Sequence, residues 1–130
     1  MSNLKIADEQ NGQLLAYLGD AQMELLVRKR LVLAGGKLGE LNKKTDALVC
    51  AKAQVAALER LMPLFTEKET DIFRRGKNIH TNSVPKSVTP LEYRKATGLE
   101  AVFGYLCLLG DTARMEYLID TAYGDFFHLS

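Results

Sequence analysis

Asp20 and Glu100 are the residues of this chain best suited to chemistry, each an acid set in a stretch that otherwise reads as an apolar helix. Asp20 lies within LAYLGDAQMELLVRKR (residues 15–30) and Glu100 within TGLEAVFGYLCLLG (residues 97–110). A lone ionised carboxylate is costly to bury, so each requires an ion pair, hydrogen bonds or a cation. Two of them from distant helices predict one divalent-cation site. Magnesium suits such a site, being a hard ion that takes a few protein oxygens and keeps several waters. A divalent cation held there could activate water and neutralise charge developing on oxygen. On residue types alone a structural alternative stays open: Asp20 capping or pairing with a neighbouring helix, and Glu100 pairing with an arginine such as Arg94. Glu24, one turn after Asp20, is expected to pair with Arg28 at the surface.

The elements that must position these acids are helical. Proline is scarce, strand-like alternation is absent, and apolar residues recur at three and four positions through most of the chain, which predicts an all-α fold. A first long helix is expected to turn Leu14, Leu18, Ala21, Leu25 and Val32 inward and to end at Gly35-Gly36. A second, over about 44–62, would bury Leu48, Ala51, Val55, Leu58 and Met62 and stop near Pro63. TEKE at residues 66–69 is a capping-box pattern that opens a third helix carrying Ile72 and Phe73, with Gly76 at its end. Residues 76–90 form the longest predicted non-helical connection. Thr89, Pro90 and Glu92 then supply an N-cap, a first-turn proline and a capping-box acid. That restart leads through 91–96 into the apolar run 99–109, after which Asp111 caps a last helix with Met115, Leu118 and Ile119 inward. The GGKLG segment (residues 35–39) lacks the spacing of a phosphate loop and reads as a helix terminator.

Composition sets bounds on the rest. The 130 residues predict one domain, over 1–130, with ordinary apolar (47%) and charged (25%) fractions and no run long enough to span a bilayer. The first residues lack a secretory pattern, so a cytoplasmic protein is expected. Cys50 and Cys107 sit in helical patterns without metal-ligand spacing, and with two histidines a zinc site of the Cys/His kind is not expected. The net charge of +1 argues against a generally basic nucleic-acid binder, but the positive residues are segregated. Arg28, Lys29, Arg30, Lys37, Lys43 and Lys44 form one cluster, and Arg74, Arg75, Lys77 and Lys86 another with no acid among them.

The motif order YLGDA (17–21), VCAKAQ (49–54), FRRGKN (73–78), PKS (85–87), YRKATGLEA (93–101) and GYL (104–106) resembles Mini-ribonuclease III, the short bacterial form of the ribonuclease III superfamily. The resemblance covers about residues 13–119. It implies a ribonuclease III-type helical domain without a separate double-stranded-RNA-binding domain. It also implies a magnesium-dependent endoribonuclease acting on double-stranded RNA, leaving 5′-phosphate and 3′-hydroxyl ends, and maturing the ends of 23S ribosomal RNA precursor. Asp20 and Glu100 would be its catalytic, metal-holding acids. Arg74, Arg75, Lys77, Asn78, Lys86, Arg94, Lys95, Lys52 and Gln54 would contact RNA, which is recognised chiefly by shape across its shallow minor groove. Where ribonuclease III usually has two more acids, this chain has Ala16 and Thr97, as the short family does, and Thr97 is expected to orient a metal-bound water. The resemblance further implies a symmetric homodimer that cuts both strands. The competing classes are an all-α nucleotide pyrophosphohydrolase, which would need several acids on adjacent turns, and a non-catalytic module that binds structured RNA.

Overall fold

A computed structural model of the chain describes residues 3–79 and 84–127. They form seven helices, α1 (Asn3–Glu9), α2 (Gly12–Ala34), α3 (Leu38–Val49), α4 (Ala51–Leu61), α5 (Glu67–Lys77), α6 (Pro90–Leu109) and α7 (Thr112–Phe127), with a short 3-10 turn (Met62–Leu64) between α4 and α5. No strand occurs among the described residues, so the fold is all-α as expected. Local signals account for several boundaries. The side chains of Thr66 and Thr89 each accept from the backbone three residues on, and Glu69 and Glu92 return the bond to the cap, closing both capping boxes. Gly35 ends α2 at φ 90, a backbone region that side chains avoid, and Asp111 Oδ1 accepts from the Arg114 amide at the start of α7.

Helix α6 is the centre of the molecule, packed by α2, α5, α4, α1 and α7. Its second half is apolar on nearly every side because it is enclosed on nearly every side. From Gly98 to Leu106, Glu100 alone is not fully buried.

Three expectations are corrected. The apolar stripe expected to face inward on α2 faces outward: Leu14 is 53% exposed, Leu25 52% and Val32 66%. The buried face carries Leu15, Ala16, Gly19, Met23, Leu26, Val27 and Leu31 instead. The helix is apolar on two sides, and the side holding Gly19 is the one that can approach α6 closely. The second correction is that residues 44–62 are not one helix. Cys50, at φ −68 and ψ 158, is extended and separates α3 from α4. That shift of phase buries Leu61 and leaves Met62 47% exposed, while Leu48 and Leu58 are buried as expected. Third, Gly76 does not end α5, which continues to Lys77. Its missing side chain lets α5 rest on α6, where a Cβ would lie 2.7 Å from that of Ala101.

Candidate active site

Asp20 and Glu100 meet where α2 crosses α6. The crossing is a backbone contact. A Cβ on Gly19 would overlap the Glu100 carbonyl oxygen and lie 2.6 Å from its carbon, and a Cβ on Gly104 would overlap the Leu15 carbonyl oxygen. The glycine before Asp20 is therefore what allows the acid to sit beside Glu100, close enough for the two carboxyl groups to act on each other. Asp20 is exposed and Glu100 half-buried. Neither forms one of the structural arginine pairs that residue types alone allow. Glu24 is bound to Arg28 at 2.8 Å as expected, which removes it from the acid pair.

Burial, then the hydrogen bond and charge of Asp20, push the Glu100 carboxyl up to about 9, against an ordinary value of 4.5, and the Gln54 amide opposes them in part. Without a cation the pair therefore holds a proton that the unfolded chain would release. The folded state binds more protons between the two values, so this contribution to stability is full below pH 4.5 and lost as pH rises through about 9. Glu100→Gln removes that loss. In thermal melts with chelator, its melting temperature relative to the parent should be distinctly higher at pH 9 than at pH 5. An equal difference at both would show that Glu100 does not titrate in this way.

A cavity of about 420 Å³ opens beside Glu100, bordered by Cys50, Lys52 and Gln54 of the α3–α4 junction, by Pro85, Ser87 and Val88, and by Tyr93 and Thr97 of α6. Tyr93, Thr97 and Glu100 are successive turns of one helix face. Tyr93 and Ser87 are site residues that the sequence reading missed, although for Tyr93 the helical spacing was available. The Thr97 hydroxyl donates to the Tyr93 carbonyl at 2.8 Å, so its own oxygen is left to accept from the cavity. A smaller cleft, bordered by Gln13, Gly76, Ile79 and Arg94, shares Tyr93 and Thr97 with the first.

The other expected RNA contacts divide into two groups. Arg74, Asn78, Lys86, Arg94 and Lys52 are exposed, and Lys77 and Lys95 half-buried. Arg75 is instead a structural tie: its Nη1 donates to the Asp8 and Gln10 carbonyls at 3.0 and 3.2 Å, and its Nη2 lies 3.6 Å from Asp71. Gln54 is 2% exposed and turned towards the Val49 carbonyl and Glu100, an inward position in place of the outward one expected.

A divalent cation fits the acid pair. The donors are hard carboxylate oxygens already within hydrogen-bonding reach of each other, which like charges tolerate only with a proton or a cation between them. Among the described residues no cluster of three or more His, Cys, Asp or Glu gathers. The site thus suits an ion that keeps most of its water, as magnesium does.

Comparison with known proteins identifies the family. Residues 13–111 match the model of the ribonuclease III domain. Mini-ribonuclease 3 of Symbiobacterium thermophilum is 44% identical over 109 residues, 83% of this chain and 84% of its own. That of a Thermoanaerobacter species is 40% identical, over 82% and 75%. A crystal structure of a Fusobacterium nucleatum protein superposes with a TM-score of 0.82 at 35% identity, covering 91% of this chain and 95% of that one.

Proposed function

The chain belongs to the ribonuclease III domain family, in its Mini-ribonuclease 3 branch, and is an endoribonuclease; from that premise we propose a magnesium-dependent enzyme of the cytoplasm that cleaves double-stranded RNA. The observation that carries the proposal is the α2–α6 crossing, which sets Asp20 against Glu100 at the edge of a cavity lined by Lys52 and Thr97. Asp20 and Glu100 would hold the ion, which when bound lowers the pKa of water and neutralises charge on the phosphate. Lys52 brings a further positive charge to the cavity rim. Thr97, its proton committed to Tyr93, offers an acceptor that can fix the direction of a nucleophilic water. The task that the motif resemblance supports is maturing the ends of 23S ribosomal RNA precursor. The direct test is a gel of structured RNA incubated with protein: cut with magnesium, intact with chelator. Binding without cutting would leave a non-catalytic module. A pyrophosphohydrolase site is disfavoured because Glu24, which it would need, is committed to Arg28.

Arg74, Lys77 and Lys86 are the cations we assign to the phosphates, with Asn78, Arg94 and Lys95 beside them. Changing those three to alanine is expected to weaken RNA binding and to lower the slope of log affinity against log salt by up to about one for each phosphate that is no longer neutralised. An unaltered slope in a filter-binding series would reduce them to surface charge.

The outward stripe of α2 supports a homodimer. Leu14, Leu25 and Val32 lie on one line along the helix, Tyr17 beside them is 82% exposed, and Ala21 between them is also exposed. A monomer has no use for an exposed apolar line that runs from Leu14 to Leu25 and resumes at Val32 beyond Arg28 and Lys29. A second copy related by a two-fold axis would cover it and place two acid pairs on one RNA duplex, one for each strand. Light scattering at micromolar concentration should report about twice the mass of one chain, and Tyr17→Asp with Leu25→Asp should halve it. A parent protein of single-chain mass would refute the arrangement.

A further inference from the structure

Gln54 is a buried polar side chain whose position beside the acid pair calls for a ligand. It stands in the first turn of α4, 2% exposed, and borders the cavity next to Glu100. Its orientation is fixed by chemistry. The Val49 carbonyl, freed by the break at Cys50, accepts at 3.1 Å and can do so only from the amide nitrogen. The same side chain acts on the neighbouring Glu100 carboxyl, favouring its ionised form. Oε1 is left buried with no donor in contact.

A buried amide oxygen without a donor costs about 1–3 kcal/mol, so the absence of a donor among the described residues points to one from outside the chain. The described neighbours do not supply it. The Thr97 proton is committed to Tyr93, and the Lys52 side chain is exposed. A cation held by two carboxylates retains several waters, and their protons point outward from the ion towards whatever acceptors surround it.

We propose that Gln54 is a positioning residue of the cation site: its amide nitrogen is anchored on the Val49 carbonyl, and its Oε1, beside Glu100, accepts a hydrogen bond from a water in the coordination shell of the ion. The inference rests on the metal reading above. It also gives the small acid count a physical sense, since an ion with few protein ligands depends on acceptors that orient its waters.

The test uses Mn²⁺ as a spectroscopic substitute for magnesium, with free ion followed by electron paramagnetic resonance during titration of the metal-free protein. Parent, Asp20→Asn and Gln54→Met are compared. The parent should bind, Asp20→Asn should lose the site, and Gln54→Met should bind about 10–100-fold more weakly while its melting in chelator stays near the parent's. Parent-like Mn²⁺ affinity in Gln54→Met, with or without a lower melting temperature, overturns the assignment of Gln54 alone. No binding by the parent, or equal binding by Asp20→Asn, overturns the metal reading itself. Should Gln54→Met not fold, a crystal of the unaltered protein with Mn²⁺ decides. An ion-bound water within about 3.2 Å of Oε1 supports the proposal, and a protein donor there, or no contact, overturns it.

Discussion

Asp20→Asn is expected to lower magnesium-dependent cleavage of double-stranded RNA by at least about a thousandfold, some 4 kcal/mol of transition-state stabilisation, with folding and RNA binding close to the parent's. The amide keeps the size and the hydrogen-bonding reach of the carboxylate but removes the charge that holds a cation. Folding should be spared because Asp20 is exposed and no core contact depends on it. RNA binding should be spared because the cations assigned to it lie on α5, α6 and the segment between them. Glu100→Gln should behave in the same way towards cleavage, although it is the more buried partner and should also alter the pH response of the metal-free protein. The measurement is a single-turnover cleavage rate at fixed magnesium concentration, with binding followed separately in chelator. Full cleavage by either variant would remove the acid pair from the mechanism.

What was legible in the sequence follows from the range of the interactions involved. The capping boxes at Thr66 and Thr89 and the stop at Gly35 are settled within four or five residues, and they are readable without the rest of the fold. The acid pair was legible because its two motifs are distinctive and resemble a known family, not because spacing alone brings Asp20 to Glu100. The face of α2 was misread for a physical reason. Its hydrophobic pattern serves two sides, and the choice between them is made by the backbone contact of Gly19 with α6, a tertiary fact. The break at Cys50 carries no glycine or proline. Its freed carbonyl at Val49 is satisfied by Gln54, so the same glutamine that was expected to contact RNA stabilises a junction invisible in the pattern. Arg75 was misassigned similarly, since its partners are backbone carbonyls at Asp8 and Gln10, which no side-chain pattern announces.

Gly19→Ala provides the sharpest test of how the fold builds the site, and it is expected to prevent folding or to lower the melting temperature by more than about 10 °C. The added methyl would overlap the Glu100 carbonyl oxygen and lie 2.6 Å from the Glu100 carbonyl carbon and 2.8 Å from the Gly104 nitrogen. All three atoms are backbone of the central helix, so no side chain can rotate away. Relief requires α2 and α6 to separate along their whole contact, which loosens the packing of Leu15, Met23 and Leu26 in the core. The cost should exceed the about 1–3 kcal/mol usual for an oversized core residue, in the range above about 4 kcal/mol that marks exceptional substitutions. Gly124→Ala in α7 is the control. It is the same chemical change in a helix, but nothing lies within 4 Å of the added carbon, so helix propensity should stabilise the protein by up to about 1 kcal/mol. Opposite signs at the two positions would show that packing, not glycine content, governs the crossing. Should Gly19→Ala fold at all, its separated helices would no longer hold Asp20 against Glu100, and its divalent-ion affinity should fall with its stability. A variant as stable as the parent would mean that the two helices do not approach as closely as described, and the geometry that joins the two acids would have to be rebuilt.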